Sequence, residues 1–302
     1  MSNKIKKHLF AHAVDEKIRK SASSGGFCKA LFCYMIDHSV VDYVIMPRIK
    51  PDSTDPEMMI TNSTDEILQR TNSIYEFFNQ LESLDKLDDS KTYAIITLGC
   101  FAKSIRSRQR RGKMKNIKYV LSPLCHQAPT SNFKHQMIKL LTGGKLTSSD
   151  LKEIDYRGGP HPWGGEVLID KSNKEYYKLH HEQAWGKFNG NYQNAPDCCL
   201  KCTIEDAAPV DIMVGDPWKT IYDATNDTKP GAWTSVSVRT QEAYELIQDS
   251  IKHGYINAEE PVGENPDNYK ERDPIISGFD INRSRKKRWV KRELKNRKGN
   301  RE

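Results

Sequence analysis

The sequence has no apolar run that approaches the roughly 20 residues of a membrane-spanning helix, and only 37% of its residues are hydrophobic. It also lacks the apolar segment of a secretory signal, because the basic start Met-Ser-Asn-Lys-Ile-Lys-Lys leads into a mixed stretch. No internal repeat is visible, so we expect no repeat architecture. We therefore expect a cytoplasmic protein with no membrane span, and 302 residues suffice for one large domain or two ordinary ones.

An even set of cysteines, as in a small disulfide-stapled protein, is also missing. The chain has seven cysteines, and an odd count in a reducing compartment argues against a disulfide framework. Cys28 and Cys33 lie in a stretch with apolar residues at helical spacing, so we expect small buried side chains there. Metal binding or catalysis better explains the others, which are clustered.

Positive charge is concentrated at the C-terminus. Residues 283–302 carry eleven Lys and Arg against two Glu, whereas the rest of the chain is near neutral within a net charge of +7. Such a basic tail can bind nucleic acid or an acidic partner, or be a solvated helix. Trp289 and Val290 interrupt the charges, which predicts that part of the tail docks on the body.

The pattern of the body predicts a mixed α/β fold, with mixed sheets flanked by helices and followed by a helical basic tail. Residues 8–50 have the pattern of a strand, a small-residue turn, a helix and a second strand, at 40–46. Further strands are predicted at 58–62, 92–97, 119–124, 154–157 and 235–239, and further helices at 64–70, 102–111, 131–142 and 240–253.

Two of the predicted strands lead into a cysteine, Cys100 and Cys125. Parallel strands that end together put both thiols at one edge of a sheet, where ligands usually gather. The C-x-x-C pair Cys199 and Cys202 is a stronger signal, because thiolates suit iron–sulfur clusters or zinc. His180-His181 keep a zinc site open, and Cys198 could substitute for Cys199.

Several polar residues could contact a cofactor, although each also has an ordinary structural explanation. Ser23-Ser24-Gly25-Gly26 offers hydroxyls and free N–H groups at a helix start, which a phosphate or flavin carbonyl requires, but an N-cap explains it equally. Asp211 and Asp216, with Gly215 between them, form an acidic turn that could accept a hydrogen bond from a cofactor ring or ribose, or be simply a turn. Arg157 and Arg239 could bind a phosphate or form exposed ion pairs. His126 could donate a proton or be an ordinary polar surface residue.

Read in order, these strings resemble the coenzyme F420 (deazaflavin) hydrogenase/dehydrogenase β-subunit family, which includes relatives encoded among bacterial polysaccharide genes. The likeness runs from about residue 8 to about residue 255 and rests on six boxes in the right order. The boxes are Arg19-Lys-Ser-Ala-Ser-Ser-Gly-Gly26, Asn72-Ser-Ile-Tyr75, Thr97-Leu-Gly-Cys-Phe101, Cys125-His-Gln-Ala-Pro-Thr130, Tyr156-Arg157 through Trp163, and Cys199-x-x-Cys202 with Val210 through Trp218.

The resemblance implies an oxidoreductase or electron-transfer subunit with a flavin, FAD or alternatively FMN, next to a 4Fe-4S cluster, both at strand ends. Residues 1–90 would form the flavin side, 91–282 the cysteine-containing region of the same catalytic unit, and 283–302 the tail. Coenzyme F420 or another small molecule would be the substrate, and ferredoxin or another oxidoreductase subunit the partner. By matching position, the cluster ligands would be Cys100, Cys125, Cys199 and Cys202, and Ser24, Gly25, Gly26, Ser73 and Tyr75 would lie near the flavin.

Two other hypotheses remain. Ile74 stands where the family has Lys, and Gly99 and Phe101 replace the Pro and Gln beside the family cysteine, so the chain could be a relative that keeps the fold and has lost a cofactor. Alternatively, a zinc-stabilised binding module could engage nucleic acid through the tail, which would leave Cys100 and Cys125 unexplained.

Overall fold

The computed structural model describes residues 4–69, 72–158, 165–178, 184–189, 192–202, 208–217, 232–260 and 290–297. Its strands are β1 (Lys4–Ala13), β2 (Tyr43–Ile49), β3 (Pro56–Thr61), β4 (Tyr93–Ile96), β5 (Ile117–Pro123), β6 (Leu151–Gly158), β7 (Gly165–Asp170), β8 (Glu175–Lys178), β9 (Ile212–Gly215), β10 (Thr234–Thr240) and β11 (Ile256–Glu259).

The described α-helices follow the same chain order. They are α1 (Glu16–Ser21), α2 (Phe27–Asp37), α3 (Thr64–Leu68), α4 (Gly99–Arg110), α5 (Ser131–Thr142), α6 (Asp197–Leu200), α7 (Gln241–Lys252) and a terminal helix over residues 290–297. Short 3-10 turns occupy Glu82–Lys86 and Ser148–Asp150, and Trp185–Asn189 forms a π-helical turn.

Side-chain caps fix several helix starts. Asp15 accepts hydrogen bonds from the N–H groups of Lys17 and Ile18 at α1, and Ser63 accepts one from Glu66 N–H at α3. At its other end, α5 is closed by Gly143, whose φ of 65° is the left-handed conformation that glycine adopts readily. The Ser63 side chain and the left-handed Gly143 thus mark the start of α3 and the end of α5, near the bounds predicted at 64–70 and 131–142.

Eight strands form one large mixed sheet in the order β11-β1-β10-β9-β5-β4-β2-β3. The inner strands β2, β4, β5 and β9 are parallel, whereas β3, β10, β1 and β11 add antiparallel edges. Strands from residues 1–90 and from residues 91–282 thus hydrogen-bond within one sheet. A separate antiparallel sheet contains β6, β7 and β8.

The large sheet is covered on both faces because successive residues of a strand point to opposite sides. Val44 and Met46 pack with α2 and α7, while Ile45, between them, packs with Ala102 and Ile105 of α4. A third core lies between α5 and the small sheet. This layered arrangement confirms the expected mixed α/β fold with sheets flanked by helices.

Some elements differ from the expectation. The helix predicted at 102–111 begins at Gly99, so Cys100 lies in its first turn. The sequence did not predict α1, β7, β8, β9 and β11; the four-residue strands β8, β9 and β11 are too short for a visible period. The predictions that involve Trp163, His180, His181, Trp218 and Trp289 lie outside the described residues. Among the helices the structure does describe, none is both long and apolar enough to cross a membrane.

Candidate functional site

Two neighbouring parallel strands bring the first two candidate ligands together. Ile95 and Ile96 of β4 pair with Val120 and Leu121 of β5, so both strands end at the same edge of the large sheet. The chain then enters α4, which carries Cys100 in its first turn, while Cys125 follows two residues after β5. The shared sheet edge predicted for these two cysteines is confirmed.

A tight turn presents the second pair. Cys199 lies in the short helix α6, and the N–H of Cys202 donates to the carbonyl of Cys199 at 3.2 Å. The Cys199 Sγ lies 3.9 Å from the carbonyl oxygen of Ala128, which is three residues beyond Cys125. The C-x-x-C turn is therefore docked on the segment that carries Cys125.

All four predicted ligands line one cavity at this edge of the sheet, which we call the cysteine cavity. Its other lining residues are Phe77, Leu98, Gly99, Pro123, His126 and Gln127. Cys198 is exposed and is not among the lining residues, which favours Cys199 over its neighbour as the ligand. Four thiols from three separated segments thus meet at one place in the fold.

The cysteine cavity does not by itself stabilise thiolates. Burial raises the pKa of the Cys199 thiol to about 12, and it also raises the pKa of Cys100. A bound cation would reverse this, since metal coordination deprotonates a thiol outright. Among the residues that the structure describes, no three His, Cys, Asp or Glu side chains converge as ligands of a single ion.

The two remaining cysteines belong to the core. Cys33 is 5% exposed and Cys28 packs beside it against the same hydrophobic cluster on α2. Burial raises the pKa of each thiol to about 12. This confirms the expectation that both are small structural side chains.

The structure gathers a second group of candidate residues, here called the polar cluster: Ser23, Ser24, Ser73, Tyr75, Arg157 and Asp216. Arg157, on β6, donates from Nη1 to the two carboxylate oxygens of Asp216 at 2.9 and 3.2 Å, and Ser24 Oγ donates to the same carboxylate. The N–H of Ser73 donates to Ser23 Oγ at 2.9 Å. Four segments distant in sequence therefore converge at this place.

Charges within the polar cluster satisfy one another. The side chains of Arg157 and Asp216 are only 9% and 14% exposed. Burial lowers the pKa of Arg157, but Asp216 and the hydrogen-bonded Tyr75 more than offset that effect, so the guanidinium pKa is raised. Burial also raises the pKa of Tyr75. The arginine is thus held as a cation by its own carboxylate partner.

The two glycines beside the polar cluster have a packing role. A Cβ on Gly25 would lie 2.7 Å from the carbonyl oxygen of Ala11 and 2.9 Å from the backbone nitrogen of Thr234, so only glycine fits against β1 and β10. Gly26 caps α2 with a φ of 78°. These contacts explain both glycines without a ligand, and their proximity to a flavin stays a prediction.

The structure places Arg239 away from the polar cluster. It lies near the end of β10, which runs antiparallel to β9, and its Nη1 donates to the carbonyl of Ala208 at 2.9 Å. Asp216, in contrast, lies just beyond the other end of β9. Sequence alone did not give the direction of β10, which decides where Arg239 lies.

Asp211 has a structural role, since its carboxylate accepts hydrogen bonds from Val120 N–H and Arg106.

Other residues near the two sites had no sequence signal. Gln80 is buried and its Oε1 accepts hydrogen bonds from Thr97 Oγ1 and Leu98 N–H at 2.7 and 3.0 Å, which positions the turn before Cys100. Phe77 lines the cysteine cavity and stacks on Phe101, which explains an aromatic residue at position 101. Ile74, another departure from the family pattern, packs against the core beneath the small sheet.

A buried lysine was also missed. Lys29, in the first turn of α2, is 5% exposed, and its ammonium makes no hydrogen bond or ion pair with any residue the structure describes. Burial lowers its pKa, and the carboxylate of Asp155 opposes that effect. Asp155 in turn accepts a hydrogen bond from Asn72, next to Ser73 of the polar cluster. A mostly covered lysine without a described ion-pair partner is a candidate for binding an anionic group, because such a group would compensate its charge.

Comparison with known proteins gives a consistent set of matches. The model of the C-terminal part of the coenzyme F420 hydrogenase/dehydrogenase beta-subunit family matches residues 90–264, and the model of its N-terminal part matches residues 9–85. The F420-dependent formate dehydrogenase subunit beta of Methanocaldococcus jannaschii is 24% identical over 260 residues, which are 84% of this chain and 62% of that protein. The beta subunit of F420-dependent formate dehydrogenase 1 from Methanococcus maripaludis is 25% identical over 268 residues, 86% of this chain and 62% of that protein.

The chain therefore spans about three fifths of the length of these two curated relatives. A solved structure is similar in fold: a chain of the xenon-derivatized F420-reducing NiFe hydrogenase complex from Methanosarcina barkeri matches with a TM-score of 0.66. The match covers 98% of this chain and 92% of that one at 15% sequence identity. At that identity the likeness shows the fold alone.

Proposed function

Because the chain belongs to the coenzyme F420 hydrogenase/dehydrogenase β-subunit family, we propose that it is an electron-transfer subunit that works between a flavin and a 4Fe-4S cluster. The observation that carries the proposal is the cysteine cavity, into which three chain segments bring four thiols. Bound together, the two groups would convert two-electron hydride chemistry into single-electron steps.

The donor set of the cysteine cavity fits an iron–sulfur cluster. Cys100, Cys125, Cys199 and Cys202 offer the four thiolates that such a cluster takes, one for each iron. A single zinc ion would need its ligands gathered within about 2.3 Å of one point, a convergence that the described residues do not show. His126, which lines the same cavity, is the group that we propose as a proton donor.

Lys29 and the polar cluster fit a flavin nucleotide. A phosphate group would neutralise the unpaired ammonium of Lys29, while Ser23, Ser24 and Tyr75 can offer hydroxyl groups to the ring system or ribose. Arg157 stays paired with Asp216, so in this proposal it orients the carboxylate and does not bind phosphate. FAD is the proposed flavin, with FMN as the alternative.

The proposed redox partners follow from the family. Two relatives are named as F420-dependent formate dehydrogenase subunits, so coenzyme F420 is the proposed small-molecule substrate. Another oxidoreductase subunit or a ferredoxin would exchange electrons with the cluster. We propose a cytoplasmic location for this exchange. Within the tail, Arg297 of the terminal helix bonds to the protein itself.

The test is the cofactor content of protein purified without oxygen. We expect about four iron atoms and matching acid-labile sulfide per chain, with one flavin released on denaturation. One zinc and no sulfide would contradict the proposal and favour the zinc-stabilised module. A colourless protein that binds neither metal nor added flavin would favour the relative that has lost its cofactors.

A further inference from the structure

The outer side of α4 carries positive charge that begins at the cysteine cavity. Successive residues of a helix are rotated by about 100°, so positions i, i+3 and i+10 share a face. Cys100, Lys103 and Arg110 have this spacing, Arg111 follows at the helix end, and all four are exposed. Ala102 and Ile105, on the other side of the helix, are buried against the large sheet.

Within the described part of the chain, these cations have no acidic partner. Arg106 and Arg108, also on α4, pair with Asp211 and Asp85. In contrast, no ion pair joins Lys103, Arg110 or Arg111 to any residue within the described ranges. Residues 99–118 contain eight Lys and Arg and no acidic residue.

A fourth exposed cation lies on the other side of the cavity. Lys201 stands between Cys199 and Cys202 in the C-x-x-C turn and is exposed. The side chains of Cys199 and Cys202 line the cavity from that turn, as Cys100 does from α4. Positive charge therefore flanks the thiols on two elements.

We propose that the basic surface beside the cysteine cavity is the docking surface for an acidic electron-transfer protein. Its larger part, here called the α4 face, consists of Lys103, Arg110 and Arg111, and Lys201 adds a cation from the C-x-x-C turn. The inference rests on the proposed function, because only a redox partner has reason to bind beside the cysteine cavity. Cys100 and Arg111 are about 16 Å apart along the helix, a span that suits the small, charge-guided interfaces of redox complexes. Complementary charge there increases the association rate and orients the partner toward the cavity.

Nucleic acid is the competing class of partner for a basic surface. It is less favoured because the α4 face is contiguous with the thiols, and phosphate backbone binding gives no reason for that placement. Base stacking would need exposed aromatic side chains, whereas Phe101, the aromatic residue of α4, is stacked on Phe77. A duplex is therefore included as a probe in the test.

The test measures binding of a fluorescently labelled, acidic 2Fe-2S ferredoxin to the full chain by anisotropy, at about 50 mM and about 300 mM salt. The charge-reversal variant carries Lys103→Glu, Arg110→Glu and Arg111→Glu together. We expect its Kd at low salt to rise at least tenfold, and the difference to shrink at high salt as screening increases. The milder variant Lys103→Gln, Arg110→Gln and Arg111→Gln should lie between, and guards against misfolding of the first.

The matched control changes net charge equally at distant exposed positions. Lys139→Glu, Lys145→Glu and Lys252→Glu lie on α5, after α5 and on α7, and should change the Kd less than twofold. Equal losses in both triple variants, or no binding of the wild type at low salt, would overturn the proposal. So would a 20-base-pair DNA duplex that binds more tightly than ferredoxin and is lost in the same α4 variant. Iron content, measured on every sample, separates failure of docking from failure of the proposed function.

Discussion

The cysteine cavity and the polar cluster differ in what holds their side chains in place. In the polar cluster, a buried arginine, a carboxylate and a serine hydroxyl satisfy one another within the chain. In the cysteine cavity, burial raises the pKa of two of the thiols, and the described residues that line it include no Asp, Glu, Lys or Arg. The first site is organised by the protein, whereas the proposed cluster would complete the second.

The largest expected effect is on the cysteine cavity. Cys100→Ser and Cys199→Ser should each abolish cluster iron, because a hydroxyl is a poor replacement for a thiolate ligand. Cys198→Ser is the matched control, since it is adjacent to Cys199 but exposed and outside the lining, and should keep its iron. Iron and sulfide analysis of the three proteins makes the comparison. If only the Cys198 variant lost iron, Cys198 would replace Cys199 as the assigned ligand.

The second prediction concerns Lys29, the one ionic group near the polar cluster that the described chain leaves unpaired. Lys29→Met keeps much of the side-chain volume and removes the charge, so the apo protein should be at least as stable. Affinity for added FAD should fall at least tenfold if the ammonium binds a phosphate. Lys252→Met, on the exposed end of α7, is the control. Unchanged FAD affinity together with lower stability would show that Lys29 is structural.

Sequence patterns located many candidate residues of both sites, for identifiable reasons. Cys100 and Cys125 follow short apolar strands, and parallel strands end at a common edge, so their meeting could be predicted from position alone. Serine, arginine and aspartate at turns and strand ends marked most of the polar cluster. These signals are local in the chain, which is why a single sequence reveals them.

What sequence could not predict depends on contacts between distant segments. Gln80 supports the turn before Cys100 from 18 residues away, and no periodic pattern marks it. Lys29 has the pattern of an ordinary polar position of an amphipathic helix, and its burial and the effect of the Asp155 carboxylate on it depend on the folded structure. Arg239 lies near the end of β9 opposite to Asp216, a placement that follows from the antiparallel pairing of β10 with β9 and that a local sequence pattern does not reveal.

The third prediction tests the self-sufficiency of the polar cluster. Asp216→Asn leaves the guanidinium of Arg157 buried without its countercharge, which should lower the free energy of unfolding by about 3 kcal/mol. Urea denaturation of the apo protein measures this loss. The double variant Arg157→Met with Asp216→Asn should recover part of the stability, since it removes the unpaired charge. Equal stability of wild type and Asp216→Asn would mean that the ion pair does not organise the site.

The smallest expected effect concerns how the terminal helix supports the C-x-x-C turn. Arg297 donates to Asp197 at 2.8 Å and to the carbonyls of Gln193 and Ala195 at 3.1 and 2.9 Å. Val290 and Leu294 pack with Leu200 and Cys199. The terminal helix therefore fastens the segment that carries two of the proposed ligands of the cavity.

Arg297→Ala should consequently loosen the turn without unfolding the protein. Because the side chains of Arg297 and Asp197 are 26% and 52% exposed, the loss of global stability should stay below about 1 kcal/mol. The rate at which a chelator removes iron should instead rise several-fold, because local opening of α6 exposes the cluster ligands. Lys295→Ala, exposed on the same helix, should leave that rate unchanged. Equal rates for Arg297→Ala and wild type would mean that the proposed cluster alone holds the C-x-x-C turn in place. The cysteine cavity would then depend on its metal even more than the comparison with the polar cluster implies.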